Sequence, residues 1–258
     1  MAAGVCLTAP PHGGAAPSGA PAVRDTVLGR SVEDRAIRVT VIGARSAPVR
    51  VLVVGAIHGN EPAGRSVTAL LRRRPPDMPG VALWIVHDLN PDGSAAGTRQ
   101  NAHGVDLNRN FPDGWRAQGR PGDVHHAGAR PLSEPESRIA ARLVSRLRPA
   151  ATVWFHQALA LVDTGSVADL AVPRRYARLT GLPARRLGHL PGIATRWQNR
   201  TVRGSDAFVV ELPGGALGPG DAGRHARAVR DLALRAARTR LVRTSADADV
   251  LTPRPTSR

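Results

Sequence analysis

The chain has 258 residues, of which 42% are hydrophobic, and this is enough apolar surface to bury one substantial core. Its one cysteine, Cys6, excludes an intramolecular disulfide framework and a zinc site built from several cysteines. No run of about 18 apolar residues occurs, so we expect no segment that spans a membrane.

The formal net charge of +16 at pH 7 comes from basic residues that are all arginine. Such a charge is compatible with nucleic-acid binding, but the arginines are scattered along the chain. Aromatic residues, at 3%, offer few surfaces on which bases could stack. We therefore expect non-specific attraction to anionic polymers and no specific nucleic-acid partner. The sequence leaves the oligomeric state open.

Residues 1–25 are rich in Ala, Pro and Gly, which predicts a disordered arm. The short apolar run Val5-Cys6-Leu7 has no basic segment before it, so the arm is not typical of a signal peptide. We expect a cytoplasmic protein as the sequence stands. If the true start lies upstream, the protein would instead be secreted or belong to the cell envelope.

The first strands and the first helix follow from the apolar pattern. Residues 36–42 alternate apolar and polar, which predicts a strand with one solvated face near the edge of a sheet. Residues 51–54 are apolar at every position, as in a strand buried on both faces. A helix is predicted over 62–74, ended by Pro75-Pro76, and another buried strand over 81–87.

The middle of the chain has no clear periodicity. Residues 88–93 predict a turn, and the polar, glycine-rich stretch 94–131 predicts a long functional loop. Ser133 and Glu136 have the spacing of a capping box, with Ser133 as the N-cap of a helix that ends near Leu147.

The remaining predicted elements are strands over 152–157 and 207–211 and helices over 173–180 and 221–242. Residues 243–258 are predicted to be a disordered tail. Strands that alternate with helices indicate an α/β fold. We predict a single domain over 26–242 with a mixed, largely parallel central sheet flanked by helices.

Side chains with metal-binding atoms follow three of these strands. His58 and Glu61 follow the first buried strand, while His156 and Glu211 end two later strands. Taken alone, His58 and Glu61 could belong to a strand-to-helix turn with a capping Glu. Open α/β sheets place ligands at the carboxyl ends of their strands, however, and convergence of three strand ends favours a catalytic zinc site.

A catalytic zinc needs three protein ligands and an open position for a water molecule, whose pKa then falls to about 7. His58, Glu61 and His156 supply such a set, and Glu211 is a candidate base with no obvious partner. Arg99 could polarise a carbonyl group and stabilise an oxyanion. Arg109, beside Asn108, could hold a carboxylate in a bidentate fork.

The sequence resembles the zinc carboxypeptidase family, and within it the murein peptide amidase branch. The resemblance spans roughly residues 27–240. It is carried by His58-Gly-Asn-Glu61, Asn90-Pro-Asp-Gly93, Arg99, Gly104-Val-Asp-Leu-Asn-Arg-Asn-Phe-Pro112, Pro131-Leu-Ser-Glu-Pro-Glu136, His156-Gln157 and Phe208-Val-Val-Glu211.

This resemblance implies one zinc ion per chain, held by His58, Glu61 and His156. It implies that Asn108 and Arg109 bind the terminal carboxylate of a peptide substrate, that Arg99 lines the oxyanion site and that Glu211 is the general base. It also implies that Asp106 accepts a hydrogen bond from the second ring nitrogen of His58 and so fixes its tautomer.

The sequence departs from the family at one position. Many members carry a tyrosine on a loop before the general-base strand, whereas the one tyrosine here, Tyr176, lies in a predicted helix.

The segment 192–203 contains three arginines and no acid. Since arginine recognises carboxylates, we expect Arg196 to favour γ-D-glutamyl-diaminopimelate peptides.

Two other functions remain open on the sequence. One is a zinc-dependent deacylase of N-acyl amino acids, of the succinylglutamate desuccinylase or aspartoacylase type, which shares the His-Gly-Asn-Glu turn. The other is a zinc-dependent peptide-binding protein without turnover. Asn90-Pro-Asp-Gly93 and His156-Gln157 favour the peptidase.

Overall fold

A computed structural model describes residues 21–188 and 190–251, with side chains as far as Arg240. Residues 1–20 of the predicted arm, with Cys6, and residues 252–258 of the predicted tail lie outside the described residues. Among the described residues, none of the helices combines the length and the apolar character needed to cross a membrane.

Seven strands occur in the described residues: β1 Val23–Arg30, β2 Ala36–Ile42, β3 Val49–Val54, β4 Val81–Val86, β5 Ala151–Asp163, β6 Ala184–Arg185 and β7 Asp206–Pro213. The α-helices are α1 Ala63–Arg73, α2 Pro91–Ala96, α3 Pro135–Leu147, α4 Ala171–Thr180, α5 Ala194–Thr201 and α6 Pro219–Leu251. A 3-10 turn spans Leu107–Arg109 within the long loop.

All the strands belong to one mixed sheet of order β1-β2-β4-β3-β5-β6, in which β7 also pairs with β5. β2 is antiparallel to β1 and to β4, while β3 is parallel to both β4 and β5. β5 is parallel to β6 and β7. The predicted α/β fold with a mixed, largely parallel sheet is therefore confirmed.

The two faces of the sheet bury separate apolar clusters, because alternate residues of each strand point to opposite faces. Val51 and Val53 of β3 pack in the cluster that contains residues of α1, α4 and α6. Leu52 and Val54 pack in the cluster that contains residues of α3 and α5. Coverage of both faces explains why the central strands are apolar at nearly every position.

The structure extends several predicted elements and adds others. β1 begins at Val23, inside the segment predicted to be a disordered arm, and α6 continues past residue 242 to Leu251. Helix α5 and the short strand β6 were not predicted. β1 is an edge strand with half-exposed Val23 and Val27, so its apolar pattern is weak.

The predicted capping box is wrong. Helix α3 begins at Pro135, its N-cap residue is Glu134, and the Glu134 side chain forms no capping hydrogen bond. The Ser133 hydroxyl donates instead to Glu134 at 2.6 Å. Glu136 accepts from the N–H of Val32 and from Asn101. Proline at the first helical position starts the helix, since its fixed φ suits a helix and its missing N–H would have had no partner.

The buried His225 of α6 gives the stability of the fold a pH dependence. Its side chain is 3% exposed, its Nδ1 lies 3.1 Å from the Tyr176 hydroxyl, and its ring packs edge-on against Phe155. Burial, with a smaller effect from the charge of Arg224, lowers the pKa of His225 to about 4. The folded protein therefore resists protonation of this ring.

Because the folded pKa lies below that of an unfolded histidine, the stabilisation is present at neutral pH and is lost as the pH falls. We expect His225 to remove about 2 kcal/mol from the free energy of unfolding between pH 7 and pH 5. His225→Gln keeps an acceptor for Tyr176 but does not titrate. In urea unfolding it should lose correspondingly less stability over this range, and equal losses in both proteins would contradict the prediction.

Candidate metal centre

The three predicted metal ligands meet just beyond the carboxyl end of β3, beside the middle of β5. His58 and Glu61 lie on the turn between β3 and α1, and His156 lies within β5. The turn passes so close to α2 that a Cβ added at Gly59 would lie 1.9 Å from the backbone carbon of Gly93. Only glycine allows this approach, which places the His58 turn against the loop that carries the other site residues.

The possible ligand atoms of these residues have the spacing of a metal site. His58 Nδ1 lies 2.9 Å from Glu61 Oε1 and 3.1 Å from His156 Nδ1, while His156 Nδ1 lies 3.0 Å from Glu61 Oε2. The ligand atoms of a tetrahedral zinc are about 3.3 Å apart, given zinc–nitrogen distances near 2.0 Å. All three residues are buried. The set therefore fits a zinc ion, with two imidazoles and one carboxylate as donors.

Asp106 orients the first ligand from the opposite side. Its Oδ1 lies 3.0 Å from His58 Nε2, and both side chains are fully buried. A ring N–H that donates to this carboxylate leaves Nδ1 without a proton and directed at Glu61 and His156, which is the tautomer that binds metal. The same Oδ1 accepts the N–H of Asn108 at 2.9 Å, so Asp106 also caps the 3-10 turn.

Arg99 joins the two carboxylates of the centre. Its Nη1 donates to Glu61 Oε1 at 2.8 Å and its Nε donates to Asp106 Oδ2 at 3.1 Å. The side chain is 22% exposed, so part of it remains accessible to solvent. Arg99 thus holds Glu61 and Asp106 in place in addition to any contact that it makes with a substrate.

These contacts set the protonation of the centre. Burial opposes ionisation of Glu61, but His156 and His58 hold the pKa of Glu61 well below its usual range. Burial likewise opposes ionisation of Asp106, yet His58, Arg99 and Arg109 keep the pKa of Asp106 low. Burial disfavours a charged His58, and Asp106 and Glu61 outweigh it, so the pKa of His58 is raised. Both carboxylates are therefore ionised, as a divalent cation requires.

Asn108 and Arg109 lie on the 3-10 turn beside the ligands. The side chain of Asn108 accepts the N–H of Ala194 at 2.9 Å, and its nitrogen lies 3.5 Å from His156 Nε2. Arg109 is 4% exposed, its Nη1 donates to the Asn108 carbonyl at 2.6 Å, and burial lowers its pKa. Its Nε has no hydrogen-bond partner among the described residues. A buried guanidinium with an unused donor is suited to bind an anionic ligand.

Glu211 lies in β7 directly beside His156, its partner in the register of β5 and β7. Its Oε2 is buried and has no hydrogen-bond partner within the described part of the chain. A carboxylate oxygen with no bound donor is free to accept a proton from a ligand, which is the chemistry expected of a general base.

Arg196 is not part of this arrangement. It lies in α5, where its Nε contacts Asp113 Oδ2 at 2.6 Å, and Arg200 pairs with the same carboxylate. Arg196 lines a cavity of about 1160 Å³ together with the first residues of β3, β5 and β7. The cavity therefore lies at the amino-terminal ends of these strands, away from the predicted metal ligands. Asp113, the acid that pairs with Arg196, lies in the long loop, so the sequence of 192–203 contains no sign of this pairing.

Two features of the site were missed in the sequence. α5 presents the Ala194 N–H to Asn108, and Gly192, with φ +70°, lies so close to Arg109 that an added Cβ would be 2.1 Å from its carbonyl oxygen. The isolated Gly192 was the one local signal of this close approach. Tyr176, by contrast, is buried in the core beside His225, and burial raises its pKa well above the usual range.

The geometry predicts that removing one ligand removes the metal. We expect wild-type protein to retain one zinc ion per chain after dialysis and His156→Ala to retain none, because two ligands cannot hold zinc against dilution. Elemental analysis measures both. His126→Ala, which removes a histidine that bonds backbone carbonyls in the loop, should keep full occupancy. Full occupancy in His156→Ala would show that the ligand set is wrong.

Among curated proteins, the chain is 34% identical over 131 residues to Murein peptide amidase A of Escherichia coli (strain K12), a match that covers 43% of this chain and 50% of that protein. It is 33% identical over 134 residues to Murein peptide amidase A of Vibrio campbellii (strain ATCC BAA-1116), with 47% and 53% covered. The match thus spans about half the length of these relatives.

Solved structures show the same fold. The murein-tripeptide amidase MpaA from Escherichia coli O157 superposes with a TM-score of 0.64 at 24% identity, covering 84% of this chain and 94% of that chain. Carboxypeptidase A from Helicoverpa armigera superposes with a TM-score of 0.71 at 19% identity, covering 83% and 68%.

The sequence profile of the zinc carboxypeptidase family matches residues 20–162, which is more than half of the chain. This range includes all three metal ligands and ends before Glu211. The sequence motifs, the fold and the geometry of the predicted ligands all agree with that match. The chain belongs to the zinc carboxypeptidase family.

Proposed function

We propose that this protein is a zinc metallocarboxypeptidase that acts as a murein peptide amidase. It would hydrolyse the amide bond next to a C-terminal residue with a free carboxylate, with γ-D-glutamyl-diaminopimelate peptides as the preferred substrates. The observation that carries the proposal is the buried Oε2 of Glu211, which has no hydrogen-bond partner among the described residues, at the strand position directly opposite His156.

His58, Glu61 and His156 would hold the zinc ion. When bound, it supplies a Lewis acid and lowers the pKa of a coordinated water to about 7. The chain supplies the proton acceptor, because Glu211 Oε2 is buried and engaged by no donor among the described residues. Glu211 would take the proton of the attacking water and pass it to the leaving nitrogen.

Arg109 and Asn108 would recognise the terminal carboxylate. Arg109 Nε lies 4.0 Å from Asp106 and has no hydrogen-bond partner among the described residues, so this buried guanidinium keeps a donor that a substrate carboxylate could use. Arg99, held by Glu61 and Asp106 but partly exposed, would stabilise negative charge on the reacting carbonyl oxygen.

The preference for murein peptides rests on the curated relatives, which are named murein peptide amidases. Arg196 pairs with Asp113 through its Nε, and it lines a cavity at the amino-terminal ends of the strands, away from the predicted metal ligands. We therefore assign no step of the mechanism to Arg196.

Glu211→Gln should separate metal binding from chemistry. The amide has nearly the same shape but cannot accept the proton, so zinc content should stay at one per chain while kcat falls by about 10²–10⁴. Elemental analysis measures the zinc content, and steady-state assays on zinc-loaded protein measure kcat. Turnover within a few-fold of wild type would exclude Glu211 as the base.

A substrate panel tests the function itself. A γ-D-glutamyl-diaminopimelate tripeptide should have a higher kcat/KM than α-peptides ending in Phe or Lys and than an N-acyl amino acid. Arg109→Met, which keeps the buried aliphatic stem, should cost about 2–5 kcal/mol in kcat/KM because it removes the charged partner of the carboxylate.

Amidating the terminal carboxylate should then impair the wild type far more than Arg109→Met, and equal losses would place the carboxylate site elsewhere. Faster cleavage of the Phe or Lys peptide would leave a general metallocarboxypeptidase. Cleavage of the N-acyl amino acid alone would favour a deacylase.

A further inference from the structure

Gln157 follows the third metal ligand, and its side chain connects two separate parts of the centre. The amide oxygen accepts the N–H of Ala63 at 2.8 Å. The amide nitrogen donates to the carbonyl oxygens of Pro213 and Gly215, each at 2.9 Å. One acceptor and both donors of the amide are therefore used, and this pattern fixes the orientation of the side chain.

The contact with Ala63 holds the turn that carries Glu61. Helix α1 starts at Ala63, and no side chain from its own N-cap residue bonds its first N–H groups. Gln157 supplies an acceptor for one of these N–H groups from the neighbouring strand. Its backbone N–H also donates to Glu61 Oε2 at 3.1 Å. The end of the ligand-bearing turn is thus attached to β5 through Gln157.

The two donor contacts hold the segment that follows Glu211. Pro213 is the last residue of β7, and Gly215, with φ +78°, lies in the turn beyond it. Glu211 lies two positions before Pro213 in the same strand. The same amide therefore fixes the chain on both sides of His156: the metal-ligand turn on one side and the end of the general-base strand on the other.

We propose that Gln157 is a positioning residue that keeps the metal ligand Glu61 and the base Glu211 in a fixed relation to each other. The inference deepens the proposed function and rests on it. An amide is required because it presents an acceptor to one segment and two donors to the other. Glutamate keeps the acceptor but has no donors, and methionine has neither.

Gln157→Met and Gln157→Glu test the two halves of the proposal. Gln157→Met should weaken zinc binding by about tenfold, because loss of the side-chain bond to the Ala63 N–H loosens the turn that carries Glu61. Gln157→Glu keeps this acceptor and should not weaken zinc binding. In both variants, kcat per bound zinc should fall by about tenfold with KM within about threefold, because the base is displaced rather than the substrate site.

Gln100→Glu is the matched control. The amide nitrogen of Gln100 donates to two backbone carbonyls, Gly122 O and Asp123 O, at 2.9 and 3.0 Å, so the variant loses the same number and kind of bonds in another loop. It measures how much thermal stability is lost when bonds of this kind are removed outside the metal centre. The Gln157 variants are assayed at a temperature where all the proteins are folded.

Zinc affinity, measured by competition with a chelator, and amide exchange at Ala63 do not depend on turnover. Exchange should rise in Gln157→Met and stay unchanged in Gln157→Glu. If the wild type cleaves no peptide, the proposed function fails while these two readouts still test the attachment of the ligand turn. Unchanged zinc affinity and exchange in Gln157→Met, or kcat per zinc within about twofold in both variants, would overturn the positioning role.

Discussion

The contact between Asp106 and His58 Nε2, at 3.0 Å inside the protein, is the interaction on which the centre depends. It leaves His58 Nδ1 free to bind metal, and the same carboxylate caps the turn that carries Asn108 and Arg109. One buried side chain thus orients a metal ligand and places the proposed carboxylate-binding residues. A change at Asp106 would disturb both halves of the site together.

Balanced charge makes this arrangement tolerable inside the protein. Glu61 and Asp106 are the anions, Arg99 bonds both, and Arg109 Nε lies 4.0 Å from Asp106. Removing one partner of a buried ion pair costs about 3–5 kcal/mol, because the remaining charge is left uncompensated. A divalent cation adds two positive charges to this set, and one is left in excess after the Glu211 carboxylate is counted. That excess favours a substrate that brings its own carboxylate.

The sequence was informative where a pattern has one physical cause. The apolar run from Val51 to Val54 predicted a strand buried on both faces, and His58 and Glu61 were found because they follow it. His156 was found from a similar run, although β5 continues beyond it to Asp163. The capping box failed because Pro135 competes with Ser133 for the start of α3. Helix α5 was missed because two of its four buried residues, Thr195 and Gln198, are polar and hide the apolar pattern. The pairing of Arg196 with Asp113 depends on a fold that brings distant residues together.

The register of β5 and β7 has a consequence for how such an enzyme can diversify. His156 lies opposite Glu211, and the pairing continues through Gln157 with Leu212. Neighbouring strands lie about 4.8 Å apart whatever their side chains, so the backbone ladder sets the separation of ligand and base. Loop segments that carry none of the site residues can be lengthened, shortened or exchanged without altering that separation. New specificities can therefore arise at the rim of the site while its reactive groups keep their spacing.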